Sequence, residues 1–280
     1  MSQSQFKITV EDGTMIEVKV DKAKKNTIGI IHLFHGMAEH MDRYDELVNA
    51  LNIQGYDVLR HNHRGHGKDI DEVERGHFES MSQIADDAYE IVETLYGTEL
   101  IVPYVVLGHS MGSIIARLFV MRYPEFANGL ILTGTGMFPK WKGVPATFAL
   151  KLITMILGKR RRVNWVNKLV NKSFNKRIDN PLTESDWIST RRDEVEKFVK
   201  DEYCGFKVSN QLIYQTVKFM MLTIEPKCLD KLNKQLPILL ISGKEDPFGD
   251  YGKGIKQLGK LYKKSGIKHI TVQQIGRAHV

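Results

Sequence analysis

Hydrophobic and polar positions change rhythm several times along the chain. Two short alternating runs, residues 6–10 and 15–20, flank Glu11-Asp12-Gly13-Thr14 and predict a β-hairpin. Residues 27–34 are almost continuously apolar, the pattern of a strand covered on both faces. Tyr44, Leu47 and Leu51 then recur at helical spacing, and Gly55 stops that helix. Residues 56–60 read as a strand, and residues 80–96 as a helix with Ile84, Ala88, Ile91 and Leu95 on one face. A strand at 102–107, a helix at 113–123 stopped by Pro124, and a strand at 129–133 follow.

The alternation breaks at about residue 137. From there to 234 the pattern is helical and charged, with no clear strand. Residues 237–242 then form an apolar strand, 251–264 a helix and 269–274 a last strand. Strand–helix alternation on both sides of a helical block implies a mostly parallel α/β sheet, helices on both faces and an inserted helical cap. The expected division is a core from 1–136 and 235–274, a cap from 137–234, and a short tail from 275–280.

Composition narrows the class rather than the chemistry. With 42% hydrophobic and 26% charged residues over 280 positions, the chain suits one large globular domain, not a disordered or fibrous one. No apolar run approaches the length of a membrane span, and residues 1–20 lack the apolar stretch of a signal peptide. Cys204 and Cys228 are too few for a disulfide framework and show no metal-ligand spacing, so a cytoplasmic setting is expected. The net charge of +7 reads as a lysine-rich solvated surface. Its one dense run, Lys159-Arg160-Arg161-Arg162, follows the apolar stretch 148–157, where any transient contact with a membrane surface belongs. No nucleic-acid signature is present, and no metal or cofactor is expected.

The chemistry centres on Gly108-His109-Ser110-Met111-Gly112, a Gly-x-Ser-x-Gly motif between an apolar strand and a helix. A nucleophile on so sharp a turn leaves no room for side chains two residues away, hence the two glycines. Ser110 needs a base to take its proton and donors to receive the oxyanion. The Met111 N–H is one expected donor. The other is the Met37 N–H, in the loop His35-Gly36-Met37-Ala38-Glu39-His40 that follows the first apolar strand. His35 and His40 are expected to brace that loop rather than touch substrate. Functional residues of open α/β sheets gather at strand carboxyl ends, which selects Asp246 as the triad acid, with Glu245 and Asp250 on the surface.

The segments HGMAEH (35–40), NHRGHGK (62–68), GHSMG (108–112) and SGKEDPFGDYGKG (242–254) resemble the monoacylglycerol lipase and lysophospholipase branch of the α/β-hydrolases. FNKRIDNPLTESDW (174–187) resembles the cap of bacterial members. The likeness runs over almost the whole chain. It implies the α/β-hydrolase fold and hydrolysis of a monoacyl lipid ester, a monoacylglycerol or lysophospholipid, through an acyl-enzyme on Ser110. Asn62 departs from the pattern, which has Asp there, in a segment that is structural in the family.

Triad order requires a histidine after Asp246, which leaves His269 and His279. His269 opens the last strand, at the wrong end of the sheet, so position selects His279. However, residues 275–280, IGRAHV, are what ATC GGA AGA GCA CAC GTC encodes, the start of a common sequencing adapter. Relatives carry an aromatic-x-Gly-x-Arg-His-Glu stretch and a closing helix there. The expectation is a native sequence ending at Gln274, a non-native tail, and a native base lost with the missing segment. A chain lacking that segment is expected to be impaired.

In the cap, Phe148, Leu152 and Met155 are the expected acyl-channel residues, and Trp187 and Phe206 are placed to narrow its entrance. A peptidase-like alternative would need an acidic anchor among Glu184, Asp186, Asp193 and Glu194. A further alternative is a ligand-binding module that keeps the fold without turnover.

Overall fold

The computed structural model describes residues 3–276. The chain opens with a hairpin, β1 (Gln3–Thr9) and β2 (Met15–Asp21), and continues into β3 (Gly29–Phe34). Then come α1 (Asp45–Gln54), β4 (Tyr56–His61), α2 (Met81–Tyr96), β5 (Tyr104–His109), α3 (Met111–Arg122) and β6 (Gly129–Thr133). Between β6 and the next strand the chain forms helices only: α4 (Lys140–Leu157), α5 (Asn164–Phe174), α6 (Arg192–Lys200), α7 (Asn210–Leu222) and α8 (Pro226–Leu229). These form the cap. β7 (Ile238–Gly243), α9 (Lys253–Lys264) and β8 (Ile270–Ile275) complete the described chain.

The eight strands form one sheet in the order β1-β2-β4-β3-β5-β6-β7-β8. The first two pairings are antiparallel and every later one is parallel. The sequence divides its apolar residues between the two faces of this sheet. Ile31, Leu33, Val58 and Leu107 pack with Tyr44 and Val48 on one side. Ile30, Phe34, Leu59 and Val106 join α2 and α3 on the other. Two-sided coverage explains the uninterrupted apolar run of β3, in which all six residues are buried.

The helix behind the nucleophile is enclosed more completely than its composition suggests. Met111 through Met121 are all buried, Arg117 among them. Arg117 donates to Thr135 Oγ1 and the Gly136 carbonyl at 2.9 Å. α1 departs from the expected face: it buries Val48 and Asn52, while Leu47 stays partly exposed. Asn52 is buried because its amide donates to the Asp21 and Tyr56 carbonyls, tying α1 to two strands.

The Asn62 departure is also accommodated. Its Oδ1 accepts the Met41 N–H at 2.9 Å, and its Nδ2 donates to Glu17 Oε2 at 2.5 Å. An aspartate could not supply that second donor.

Candidate active site

Ser110 sits between β5 and α3 with φ 51° and ψ −118°, a conformation that non-glycine residues seldom hold. Both flanking glycines are required by contact. A Cβ on Gly108 would lie 2.4 Å from the Gly112 carbonyl oxygen, and one on Gly112 would lie 2.1 Å from that of Phe34. The strained turn lifts Ser110 off the sheet at the carboxyl ends of β3 and β5. Among the described residues, neither the Met37 nor the Met111 N–H has an acceptor. Met37 and Met111 line the same cavity as the serine.

The loop carrying Met37 is held by neutral histidines. His35 Nδ1–H donates to the Gly36 carbonyl at 2.8 Å, and its Nε2 accepts the His63 N–H at 3.0 Å. His66 Nε2 accepts the Ala38 N–H at 3.2 Å, while its Nδ1–H donates to the Arg64 carbonyl. Burial pushes both imidazoles well below their ordinary pKa, His66 down to about 4. Glu39 closes the loop from below by accepting the Gly36 N–H and the Tyr44 hydroxyl and pairing with Arg43. Burial opposes its ionised form, but the Arg43 guanidinium outweighs that and brings its pKa down to about 2. As expected, neither His35 nor His40 is among the residues lining the cavities at Ser110.

Asp246 lies just past the end of β7, buried. Its Oδ1 accepts the Phe248 N–H at 2.9 Å and its Oδ2 the Ser242 hydroxyl at 2.8 Å. Asp246 and Ser110 line one cavity of about 180 Å³, together with Glu39, Tyr44 and His109. Glu245 is exposed, as expected. Among the described residues no imidazole hydrogen-bonds Ser110 or Asp246. His269 is at the amino end of β8, where its carbonyl accepts the Ile238 N–H at the opposite end of β7 from Asp246. His279 lies outside the described residues. β8 itself continues to Ile275, paired with Gly243.

A second cavity, about 350 Å³, opens from Ser110 into the cap. Trp187 and Phe206 line it, with Phe174, Val208, Ile213 and Met220. Phe148, Leu152 and Met155 do not. They are 62%, 39% and 69% exposed, on the outer face of α4. The reason is how α4 packs on α7. Gly143 approaches so closely that a Cβ there would lie 2.1 Å from Met221 Sδ, and Thr154 is buried on the same side. That contact turns the opposite, equally apolar face outward.

Three side chains of the basic run reach back to the core. Lys159 pairs with Glu79 at 2.9 Å and Arg160 with Glu74 at 2.7 Å, while Arg162 donates to the Glu72 and Arg75 carbonyls. These residues clasp the cap to the core. Of the four acids considered as an ammonium anchor, only Glu184 reaches the cap cavity. Asp186 is tied to Thr183 and Arg192, and Asp193 and Glu194 pair with Arg191 and Lys197.

Residues 25–278 match the family model described as serine aminopeptidase, S33. The chain belongs to the S33 serine aminopeptidase family. Family membership agrees with the α/β-hydrolase fold and the elbow geometry. Among characterised relatives, mouse monoglyceride lipase is 31% identical over 52% of this chain and 48% of its own. A probable lysophospholipase L2 of Haemophilus influenzae is 32% identical over 36% of this chain and 33% of its own. Matches of this kind span about half or less of those relatives' length. A thermostable carboxyl esterase of Bacillus coagulans, solved with glycerol, superposes with a TM-score of 0.88 at 26% identity, covering 100% of this chain and 92% of that one.

Proposed function

We propose that this S33-family protein hydrolyses carboxylic esters of monoacyl lipids, monoacylglycerols or lysophospholipids, through an acyl-enzyme on Ser110. One observation carries the reading: a strained Ser110 stands at the base of a largely apolar cavity of about 350 Å³ under the cap. Ser110 Oγ attacks the ester carbonyl, and the oxyanion forms against the Met37 and Met111 N–H groups. The acyl chain occupies the cap cavity, and the alcohol occupies the smaller pocket beside Glu39, Tyr44 and His109. Asp246 orients the histidine that acts first as base and then as acid, and water releases the fatty acid. Triad order and position leave His279 as the candidate for that role.

The amide-cleaving alternative is less well supported. Glu184 shares the cavity with Lys168 and Lys207, which disfavour a substrate ammonium. A panel of esters graded in chain length tests the proposal. Equal turnover of acetate and medium-chain esters would overturn the lipid assignment. Ser110 left unlabelled by a fluorophosphonate, in a chain carrying its triad histidine, would favour a binding module instead.

The proposal includes transient contact of the cap with a lipid surface. Trp141, Phe148, Leu152, Met155 and Ile156 are exposed along α4, and Trp165 and Leu169 along α5. Residues 140–178 hold eleven lysines and arginines and no acid. Phe148→Ser with Leu152→Ser is expected to weaken co-sedimentation with anionic vesicles while leaving turnover of a water-soluble ester unchanged. Unchanged sedimentation would remove the membrane contact from the reading.

A further inference from the structure

Sequence spacing shows no metal site, but the fold brings three donors of different chemistry together where the cap meets the oxyanion loop. His40 ends that loop, and Asp201 and Cys204 lie just after α6. One ligand atom from each lies within 4.8 Å of the others. His40 and Cys204 are buried, and the Asp201 side chain is 28% exposed.

The hydrogen bonding of His40 shows what is unsatisfied there. Its Nε2 lies 2.8 Å from Asp201 Oδ2 and acts as a donor in that contact. Its Nδ1 is then a buried acceptor with no donor, and none is found for it. The group facing Nδ1 is another acceptor, Asp42 Oδ2, at 3.9 Å. A buried lone pair turned toward a carboxylate is the wrong polarity. The opposite tautomer corrects it, because Nδ1–H then points at Asp42. That leaves the Nε2 lone pair facing the Asp201 carboxylate and the Cys204 thiol, whose own hydrogen bond is to Asp201, and a cation among the three would satisfy Nε2.

We propose that His40 Nε2, Asp201 and Cys204 bind a zinc-class divalent ion, with Asp42 as the outer carboxylate that fixes the His40 tautomer. Nitrogen, oxygen and sulfur donors together suit zinc, whereas calcium and magnesium take oxygen alone. A carboxylate behind a ligating imidazole is the usual second partner of such sites. Asp42 is itself held by Lys19 at 2.6 Å and Lys68 at 3.0 Å. The neighbouring Arg43 guanidinium is neutralised by Glu39. On binding, the Cys204 thiol releases its proton to solvent and the His40 proton moves from Nε2 to Nδ1. Because the thiol gives up its proton on binding, binding strengthens as pH rises.

The ion would tether cap residues 201–204 to the loop that carries Met37. That link already includes the Gly205 N–H donating to the Ala38 carbonyl at 2.9 Å. The site is separate from the hydrolytic chemistry, since none of its three ligands lines the cavities at Ser110.

The test uses the full chain, stripped with a chelator and dialysed against zinc or cobalt. One zinc retained per chain, a cobalt–thiolate charge-transfer band and a raised Tm are expected. Cys204→Ser and Asp201→Asn should lose the band, Cys228→Ser should keep it, and Asp42→Asn should bind about 10- to 100-fold more weakly. Absence of retained zinc, or a band that survives Cys204→Ser, overturns the site. Ester turnover is not the readout, so this result stands apart from the proposed hydrolysis.

Discussion

The sheet and the cap bury apolar side chains by different rules. Each residue of β3 is buried between two layers of helices, and the helix behind Ser110 is enclosed along nearly its whole length. α4 is at least as apolar in composition, yet among its residues only Gly143 and Thr154 are buried, and Trp141, Phe148, Met155 and Ile156 face outward. Charge divides the same way: residues 140–178 are basic without an acid, and all ten histidines lie outside residues 137–234. The sheet therefore carries Ser110, Asp246 and the loop of residues 35–40. The cap supplies an apolar cavity on one side and an unpartnered apolar, basic face on the other.

The largest effect tests whether the sheet's strain serves Ser110. Ser110→Ala keeps the elbow backbone, so Tm should stay close to wild type. Hydrolysis of any ester the protein turns over should fall on the order of 10⁴- to 10⁶-fold. A smaller fall, measured against a fluorogenic ester, would mean that the elbow is not the reacting centre.

Acid sharpens the contrast between the two regions. His35 and His66 each accept a backbone N–H, and a protonated ring cannot do so. Their folded pKa values lie below the unfolded 6.5, His66 at about 4 and His61 at about 3. The unfolded chain thus binds protons first. Stability present above pH 6.5 should be lost as pH falls toward 4, by on the order of 2 kcal/mol per histidine between pH 6.5 and 5. Hydrogen exchange at pH 5 should loosen residues 35–40 and β4 before α4 or α7. Cap helices that open first would break the comparison.

Packing supplies a matched pair. Ile84 is fully buried on α2, and Ile156 is 77% exposed on α4. Ile84→Ala should cost about 2–5 kcal/mol in urea unfolding, and Ile156→Ala no more than about 0.5 kcal/mol.

The same asymmetry explains what could be read in the sequence. Strands buried on both faces leave unbroken apolar runs, so residues 27–34 and 129–133 pointed to the sheet, and glycine spacing pointed to Ser110. Boundaries moved by a residue or two: β5 ends at His109 rather than 107, because its last pair, His109 with Thr133, forms at the elbow itself. Asp246 followed from the rule about strand carboxyl ends. The cap lining did not, since α4 is apolar on both faces and only the Gly143–Met221 contact decides which face turns inward. Nor could spacing reveal His40 beside Asp201, which lie 161 residues apart.

The smallest effect concerns the clasp. Lys159–Glu79 and Arg160–Glu74 are about half exposed pairs, and each is worth about 0.2–1 kcal/mol in moderate salt. Glu74→Gln with Glu79→Gln should therefore lower stability only slightly, and the difference should shrink further as ionic strength rises. The same variant frees two cations beside the outer face of the cap. If these cations serve only to hold the cap, vesicle sedimentation should change far less than with Phe148→Ser and Leu152→Ser. If the pairs instead mask a lipid-binding patch, removing their acids should strengthen sedimentation with anionic vesicles severalfold. The basic run would then belong with the outer face of α4, not with the core it is seen to clasp.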